Sequence, residues 1–131
     1  MLNIRHLAGS LLIVFAIAIG SVASAMESTP FDQQAFEAAQ TAGKPILIEV
    51  SAPWCPTCRA QAKVFKKLWT EARFKEFVTF EIDFDSQKDL LRRFNARVQS
   101  TLIVFKGQTE ARRSSGETDP AAIAALLEKA I

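Results

Sequence analysis

The arrangement of apolar residues along the chain predicts strands that alternate with helices. Segments that are continuously apolar, or in which apolar and polar residues strictly alternate, are typical of strands. They lie at residues 45–50, 78–85, 102–105 and 110–114. Apolar residues at helical spacing predict helices at residues 31–41, 55–69, 86–94 and 120–131. The resulting order, α-β-α-β-α-β-β-α, indicates an α/β domain with a mixed sheet covered on both faces and a final hairpin.

The start of the chain has the pattern of a secretory signal peptide. Arg5-His6 forms a short positive head, residues 7–19 are apolar, and Ala23-Ser24-Ala25 has the small-x-small form of a cleavage site. We expect cleavage after Ala25, which leaves one domain, residues 26–131. An uncleaved membrane anchor is the alternative, because residues 7–26 are uncharged and long enough to cross a bilayer. Under either interpretation we expect export, to the bacterial periplasm.

Composition excludes several classes of function. The 131 residues suit a single domain, and the net charge is only +2, from 16 basic and 14 acidic residues. The basic residues are interleaved with acidic ones, so we expect no nucleic-acid partner. The one histidine, His6, lies in the signal peptide, so the mature domain has no imidazole for Cys-His hydrolysis or for a histidine-bearing zinc site. We expect a monomer that needs no metal or other cofactor.

Cys55-Pro56-Thr57-Cys58 stands where a buried strand gives way to a helix. Free N–H groups and the helix dipole stabilise an anion there, which favours a thiolate at Cys55, and Pro56 suits the first helical turn. Attack by Cys55 on a foreign disulfide would give a mixed disulfide that Cys58 resolves. We therefore predict that the pKa of Cys55 lies clearly below the free-thiol value of about 8.5.

Other roles for the two cysteines stay open at this point. A structural disulfide is one, although so small a loop removes little chain entropy. A metal site is another, but it would need carboxylates or a second chain to complete its ligands. The third is a pair of inert buried cysteines. The position of the C-x-x-C motif between strand and helix favours redox exchange over all three.

Residues 51–58, Ser-Ala-Pro-Trp-Cys-Pro-Thr-Cys, resemble the W-C-x-x-C active site of thioredoxins. The resemblance continues through residues 101–107 to Gly116, and it covers the chain from about Phe31 to Ile131. It implies the thioredoxin fold and a redox-active Cys55–Cys58 disulfide, with Cys55 as the exposed nucleophile and Cys58 as the buried resolving thiol. It also implies a substrate-binding surface made of Trp54, Pro56, Thr57, Gln99, Ser100 and Thr101.

Ser100 occupies the position at which thioredoxins carry a cis-proline facing the cysteines. A cis bond before a residue other than proline costs roughly 2.5–4 kcal/mol. The Gln99–Ser100 bond is therefore either trans, with a reshaped substrate groove, or cis and held under strain.

Glu49 stands where thioredoxins place a buried aspartate beneath the resolving cysteine. Burial should raise the pKa of this carboxyl, so that it can accept and return the proton of Cys58. Glu81 falls on the neighbouring strand in place of the usual lysine, and a second carboxylate would raise the pKa further. We hypothesise that Glu49 is the proton shuttle and Glu81 its modulator. The alternative is a glutamate at the edge of the sheet in contact with water.

The segment before the first helix is too short for the usual first strand. We expect that strand to be absent or vestigial, which leaves a sheet of about four strands.

The resemblance and the residues together indicate an exported thiol:disulfide oxidoreductase. We expect it to act as a reductant of protein disulfides and to receive electrons from a donor in the membrane. One alternative is an oxidant or isomerase of secreted proteins. Another is a binding protein or metal carrier that uses the same scaffold without turnover.

Overall fold

A computed structural model describes residues 27–131. The predicted signal peptide, residues 1–25, and its cleavage site lie outside these described residues. Among the helices from residue 27 onward, none is long and apolar enough to cross a membrane.

The longer elements follow the predicted order, and a two-residue strand precedes them. The strands are β1 Thr29–Pro30, β2 Pro45–Ser51, β3 Val78–Asp83, β4 Thr101–Lys106 and β5 Thr109–Ser115. The α-helices are α1 Gln33–Thr41, α2 Pro56–Leu68, α3 Lys88–Arg93 and α4 Pro120–Leu127. Short 3-10 turns lie at Ala72–Phe74 and Glu128–Ala130.

The strands form one mixed sheet in the order β1-β3-β2-β4-β5. β2 pairs in parallel with β3 and antiparallel with β4, and β5 adds to β4 as the predicted hairpin. The first strand is vestigial, as expected: β1 pairs with β3 through only two residues. The sheet formed by residues 27–131 therefore has five strands rather than four, because even this short segment reaches the edge of β3, where the Phe31 N–H donates to the Glu81 carbonyl (2.9 Å).

Helices cover both faces of the sheet. On one face, the α2/α4 side, inward residues of the two helices pack against Leu47, Leu102 and Val104. On the other, the α1/α3 side, Phe36 packs edge-on against the rings of Phe80, Phe94 and Phe105 and tilted against that of Phe31. Because β2 is central, its carboxyl end carries the chain from the middle of the sheet directly into α2.

Helix starts follow from their capping residues. The Asp32 carboxylate accepts a hydrogen bond from the Ala35 N–H (2.7 Å) at the start of α1, and Asp119 accepts one from the Ala122 N–H (2.8 Å) at the start of α4. α2 is capped differently, by a cysteine.

Candidate redox site

Cys55 is the N-cap residue of α2. Its backbone is extended (φ −81°, ψ 107°), and Pro56 takes the first helical position. The Cys58 N–H points at the Cys55 sulfur at 3.1 Å. After reduction, a thiolate at Cys55 would accept this hydrogen bond and lie on the axis of the helix dipole, and both effects stabilise the anion.

Cys55 and Cys58 form a disulfide across the first turn of α2, with their Cα atoms 5.3 Å apart. Cys55 is 1% exposed and Cys58 is 8% exposed. The expectation that Cys55 is the exposed member of the pair is thus wrong for the oxidised protein. The two cysteines pack with buried Ala52 and with Phe84, from the loop after β3, and this cover accounts for the burial of both sulfurs.

Trp54 precedes the disulfide and is 53% exposed. Its indole N–H donates to the Asp85 carboxylate at 2.8 Å, which connects the loop before α2 to the loop after β3. The Lys88 ammonium lies 4.4 Å from the centre of the Phe84 ring and donates to the Phe84 carbonyl. Because Asp85 accepts the hydrogen bond of its N–H group, the exposed Trp54 indole presents an apolar surface at the site.

Ser100 has a trans peptide bond to Gln99 and a left-handed backbone (φ 58°). Its N–H donates to the Val50 carbonyl (2.7 Å), and its hydroxyl donates to the Gln99 carbonyl (2.6 Å). The Cys58 sulfur lies 3.9 Å from that same Val50 carbonyl oxygen. Of the two conformations that the sequence left open, the trans one is present, and it places the Ser100 backbone next to the resolving cysteine.

Glu49 lies on central β2, one residue before Val50, so it is not at the edge of the sheet. By strand parity with Leu47 it faces the α2/α4 side, on which α2 carries Cys58. Burial raises the pKa of Glu49 to about 7, with a smaller upward contribution from the charge of Glu81. A carboxyl with this pKa exchanges protons near neutral pH, which is the property a proton shuttle requires.

Two neighbouring residues, Glu81 and Ser28, change the pKa of Glu49. Glu81 is its register neighbour on β3, and its own side chain is exposed. From the segment just before β1, the Ser28 hydroxyl donates to the Glu49 carboxylate, an interaction that lowers the pKa of Glu49 and partly offsets burial. Ser28 is held there because β1 is joined to β3, where the Thr29 hydroxyl donates to the Thr79 carbonyl (3.2 Å).

The residues of the predicted substrate surface differ in accessibility. Trp54 and Pro56 are exposed, and Thr57 and Gln99 are half-buried. Ser100 and Thr101 are buried. The Thr101 hydroxyl contacts the Val98 carbonyl (2.8 Å) and the Ser115 hydroxyl (2.9 Å), so the structure directs it inward and not toward a client. Val98, which the sequence did not predict to be part of this surface, is exposed and directly precedes Gln99 in the chain.

Sequence reasoning missed two polar residues of the site, Ser28 and Gln61. Gln61 is buried in α2 on the inward stripe that also contains Val64 and Leu68. A polar residue on an apolar helical stripe is a detectable signal. Ser28 gives no such signal, because its role depends on a strand of two residues.

In the part of the chain that the structure describes, no three His, Cys, Asp or Glu side chains converge so as to hold a metal ion. The arrangement supports two-electron exchange at sulfur: a buried disulfide at a helix N-terminus, with a titratable carboxyl on the same side of the sheet.

Comparisons with known proteins agree with this chemistry. The thioredoxin family model matches residues 27–129. Thioredoxin Asp f 29 of Aspergillus fumigatus is 31% identical over 90 residues, which cover 69% of this chain and 82% of that protein. The protein disulfide-isomerase of Aspergillus niger is 28% identical over 98 residues, 75% of this chain but only 19% of that protein. The chain thus spans about a fifth of that relative's length.

Among solved structures, the crystal structure of Trxlp from Edwardsiella tarda EIB202 superposes with a TM-score of 0.74 at 38% identity, over 77% of this chain and 98% of that one. Thioredoxin of Malassezia sympodialis has the same fold, with a TM-score of 0.64 at 21% identity over 75% of this chain and 87% of that one. Together with the Cys55–Cys58 disulfide in the C-x-x-C motif, these likenesses support a thiol:disulfide oxidoreductase, and they imply protein disulfides as its substrates. The chain belongs to the thioredoxin family and has its fold.

Proposed function

We propose that this protein is exported and reduces the disulfides of other exported proteins. The observation that carries the proposal is the placement of the Cys55–Cys58 disulfide at the N-terminus of α2, with the Cys58 N–H directed at the Cys55 sulfur. The reductive direction is proposed from the likeness to a thioredoxin over 82% of that protein's length, and the redox potential of the cysteine pair decides it.

In the proposed reaction, the Cys55 thiolate attacks one sulfur of the client disulfide and releases the first client thiolate. Cys58 then gives its proton to Glu49 and attacks the Cys55 sulfur, which releases the second client thiolate. The client gains two electrons and leaves as two thiolates, which take up protons from the solvent, while Glu49 returns the proton of Cys58 to the solvent and the protein becomes the disulfide. A donor in the membrane then supplies the two electrons that return the protein to the dithiol.

The client test uses the variant Cys58→Ser, which can form the mixed disulfide but cannot resolve it. We expect it to accumulate covalent complexes with client proteins that dithiothreitol releases. Cys55→Ser is the matched control and should form none. If neither variant traps a protein, the chain is a binding protein on the thioredoxin scaffold and the proposal is wrong.

Direction is tested by the equilibrium constant of the cysteine pair with glutathione. A potential near about −270 mV identifies a reductant, and one near about −120 mV identifies an oxidant of newly exported chains. The thiolate absorbance of the reduced protein gives the pKa of Cys55, which we expect below about 8.5. A pKa at or above that value contradicts the proposed nucleophile.

Export is proposed from the N-terminal pattern alone. The protein recovered from the producing cell should be found in the periplasmic fraction. Its mass should be that of a chain that begins at Met26. A full-length chain in the membrane fraction would support the anchored alternative. A full-length chain in the cytosol would contradict export.

A further inference from the structure

Gln61 is a buried polar residue that the reaction described above does not use. It lies in α2, one turn after Cys58, and is 3% exposed. Its side-chain N–H₂ donates to the Ser100 carbonyl (3.0 Å) and to the Glu117 carbonyl (2.9 Å). Both partners are acceptors only, so the amide nitrogen, and not its oxygen, must face them.

These two hydrogen bonds connect segments that are far apart in sequence. The Ser100 carbonyl also accepts from the Gly116 N–H (3.0 Å), and the Ser100 N–H donates to the Val50 carbonyl. The Gln61 amide therefore joins the helix of Cys58 to the loop before β4 and to the turn after β5. The Val50 carbonyl closes this network next to the Cys58 sulfur.

The loop before β4 needs such support. Ser100 has a left-handed backbone, which a residue other than glycine adopts only when its surroundings hold it there. No proline ring restricts the chain at this position. The contacts of Ser100 with Gln61, Gly116 and Val50 are what fix the wall of the site beside Cys58.

We propose that Gln61 is a positioning residue of the redox site: it holds the Ser100 loop in the place at which a client protein docks against the cysteines. The inference rests on the proposed function, because it assigns Gln61 to the docking of the protein disulfides that the site reduces. Gln61 does not touch the reacting sulfurs and takes no part in proton transfer.

The test compares a protein disulfide, which must dock on the loop, with a small one, which needs only access to sulfur. The probes are insulin and the chromogenic disulfide of thionitrobenzoate. Gln61→Glu replaces the donor by an acceptor of equal size, and Gln61→Met removes the polar group at similar volume. Gln34→Glu, on the exposed face of α1, is the matched control.

We expect both Gln61 variants to raise the KM for insulin by about tenfold or more, since displacing a binding element by about 1 Å can cost up to about a hundredfold. The rate with the small disulfide and the near-UV circular dichroism should remain those of the unaltered protein. Gln34→Glu should change neither substrate's kinetics.

The contrary results are distinct. If the unaltered protein reduces the small disulfide but not insulin, the proposed function itself is wrong, and this inference with it. If insulin is reduced equally well by the protein with and without Gln61, only the positioning role is wrong. If both substrates slow equally, or neither variant folds, Gln61 is a residue of the fold and the proposal is overturned.

Discussion

Glu49 shows how a single side chain can couple stability to pH. The domain buries this carboxyl on its central strand, and burial favours the protonated form. The rise in pKa from its ordinary 4.5 to about 7 means that, at high pH, folding has to bury a carboxylate that is already ionised in the unfolded chain, which is unfavourable. The contribution of protonated Glu49 is therefore complete below pH 4.5 and is lost as the pH rises through about 7.

We predict that the oxidised protein loses roughly 2 kcal/mol of unfolding free energy between about pH 5 and about pH 8 through this group. Glu49→Gln should remove most of that loss, because an amide does not ionise. Urea unfolding at the two pH values measures it. Glu81→Gln is the control and should retain most of the pH dependence, since burial is the main cause of the raised pKa and the charge of Glu81 contributes less. An equal pH dependence in Glu49→Gln would contradict the prediction.

Ser28 acts on the same carboxyl in the opposite direction. Its hydroxyl donates to the Glu49 carboxylate and so favours the ionised form. We predict that Ser28→Ala moves the pKa of Glu49 above about 7, whereas Ser28→Thr, which keeps the hydroxyl, leaves it unchanged. Titration of the Glu49 side-chain carboxyl ¹³C resonance measures both. A pKa that falls in Ser28→Ala would show that this hydroxyl does not stabilise the carboxylate.

Among the elements, the loop before β4 holds a serine in the left-handed region of the backbone. Its backbone has φ 58° at Ser100, and the Ser100 N–H is used by Val50. We predict that Ser100→Pro lowers the unfolding free energy by more than about 1 kcal/mol, because proline cannot adopt this φ and has no N–H. Ser100→Gly, which keeps both, should be tolerated. Thermal unfolding compares the two, and a proline variant as stable as the glycine variant would contradict the prediction.

How far the sequence predicts each element depends on the range of the interactions that form it. The alternation along β3, the apolar run of β2 and the proline at the start of α4 are local signals, and all three elements form as predicted. β1 has no such signal, since a strand of two residues exists only through its pairing with β3. The conformation of Ser100 was likewise undecidable, because Val50 and Gln61, which hold it, are distant in sequence.

At the scale of the whole molecule, two hydrophobic cores, one on the α1/α3 side and one on the α2/α4 side, pack against the same sheet. Phe36 lies in the α1/α3 side, and Trp69 is buried in the α2/α4 side, where it stacks on Phe65. Because both sides pack on the same strands, loss of either should unfold the domain as a unit.

We predict that Phe36→Ala costs about 3–5 kcal/mol of unfolding free energy, with a single transition. The fluorescence of Trp69 on the opposite side and the far-UV circular dichroism should change together during urea unfolding. A conservative Phe36→Leu should lose less. Transitions that separate would mean that the two sides unfold independently.

The burial of the disulfide affects which molecules can exchange electrons with it. Both sulfurs of the oxidised form lie beneath the surface, with Cys55 1% and Cys58 8% exposed. A free thiol in solution that collides with this face does not reach the sulfurs directly, because they pack with Ala52 and Phe84, and in-line attack on sulfur requires this cover to move. The oxidised centre is thereby insulated from ambient thiols. We expect free thiols to pass electrons to it slowly, so that its redox state is set by macromolecules able to rearrange that cover.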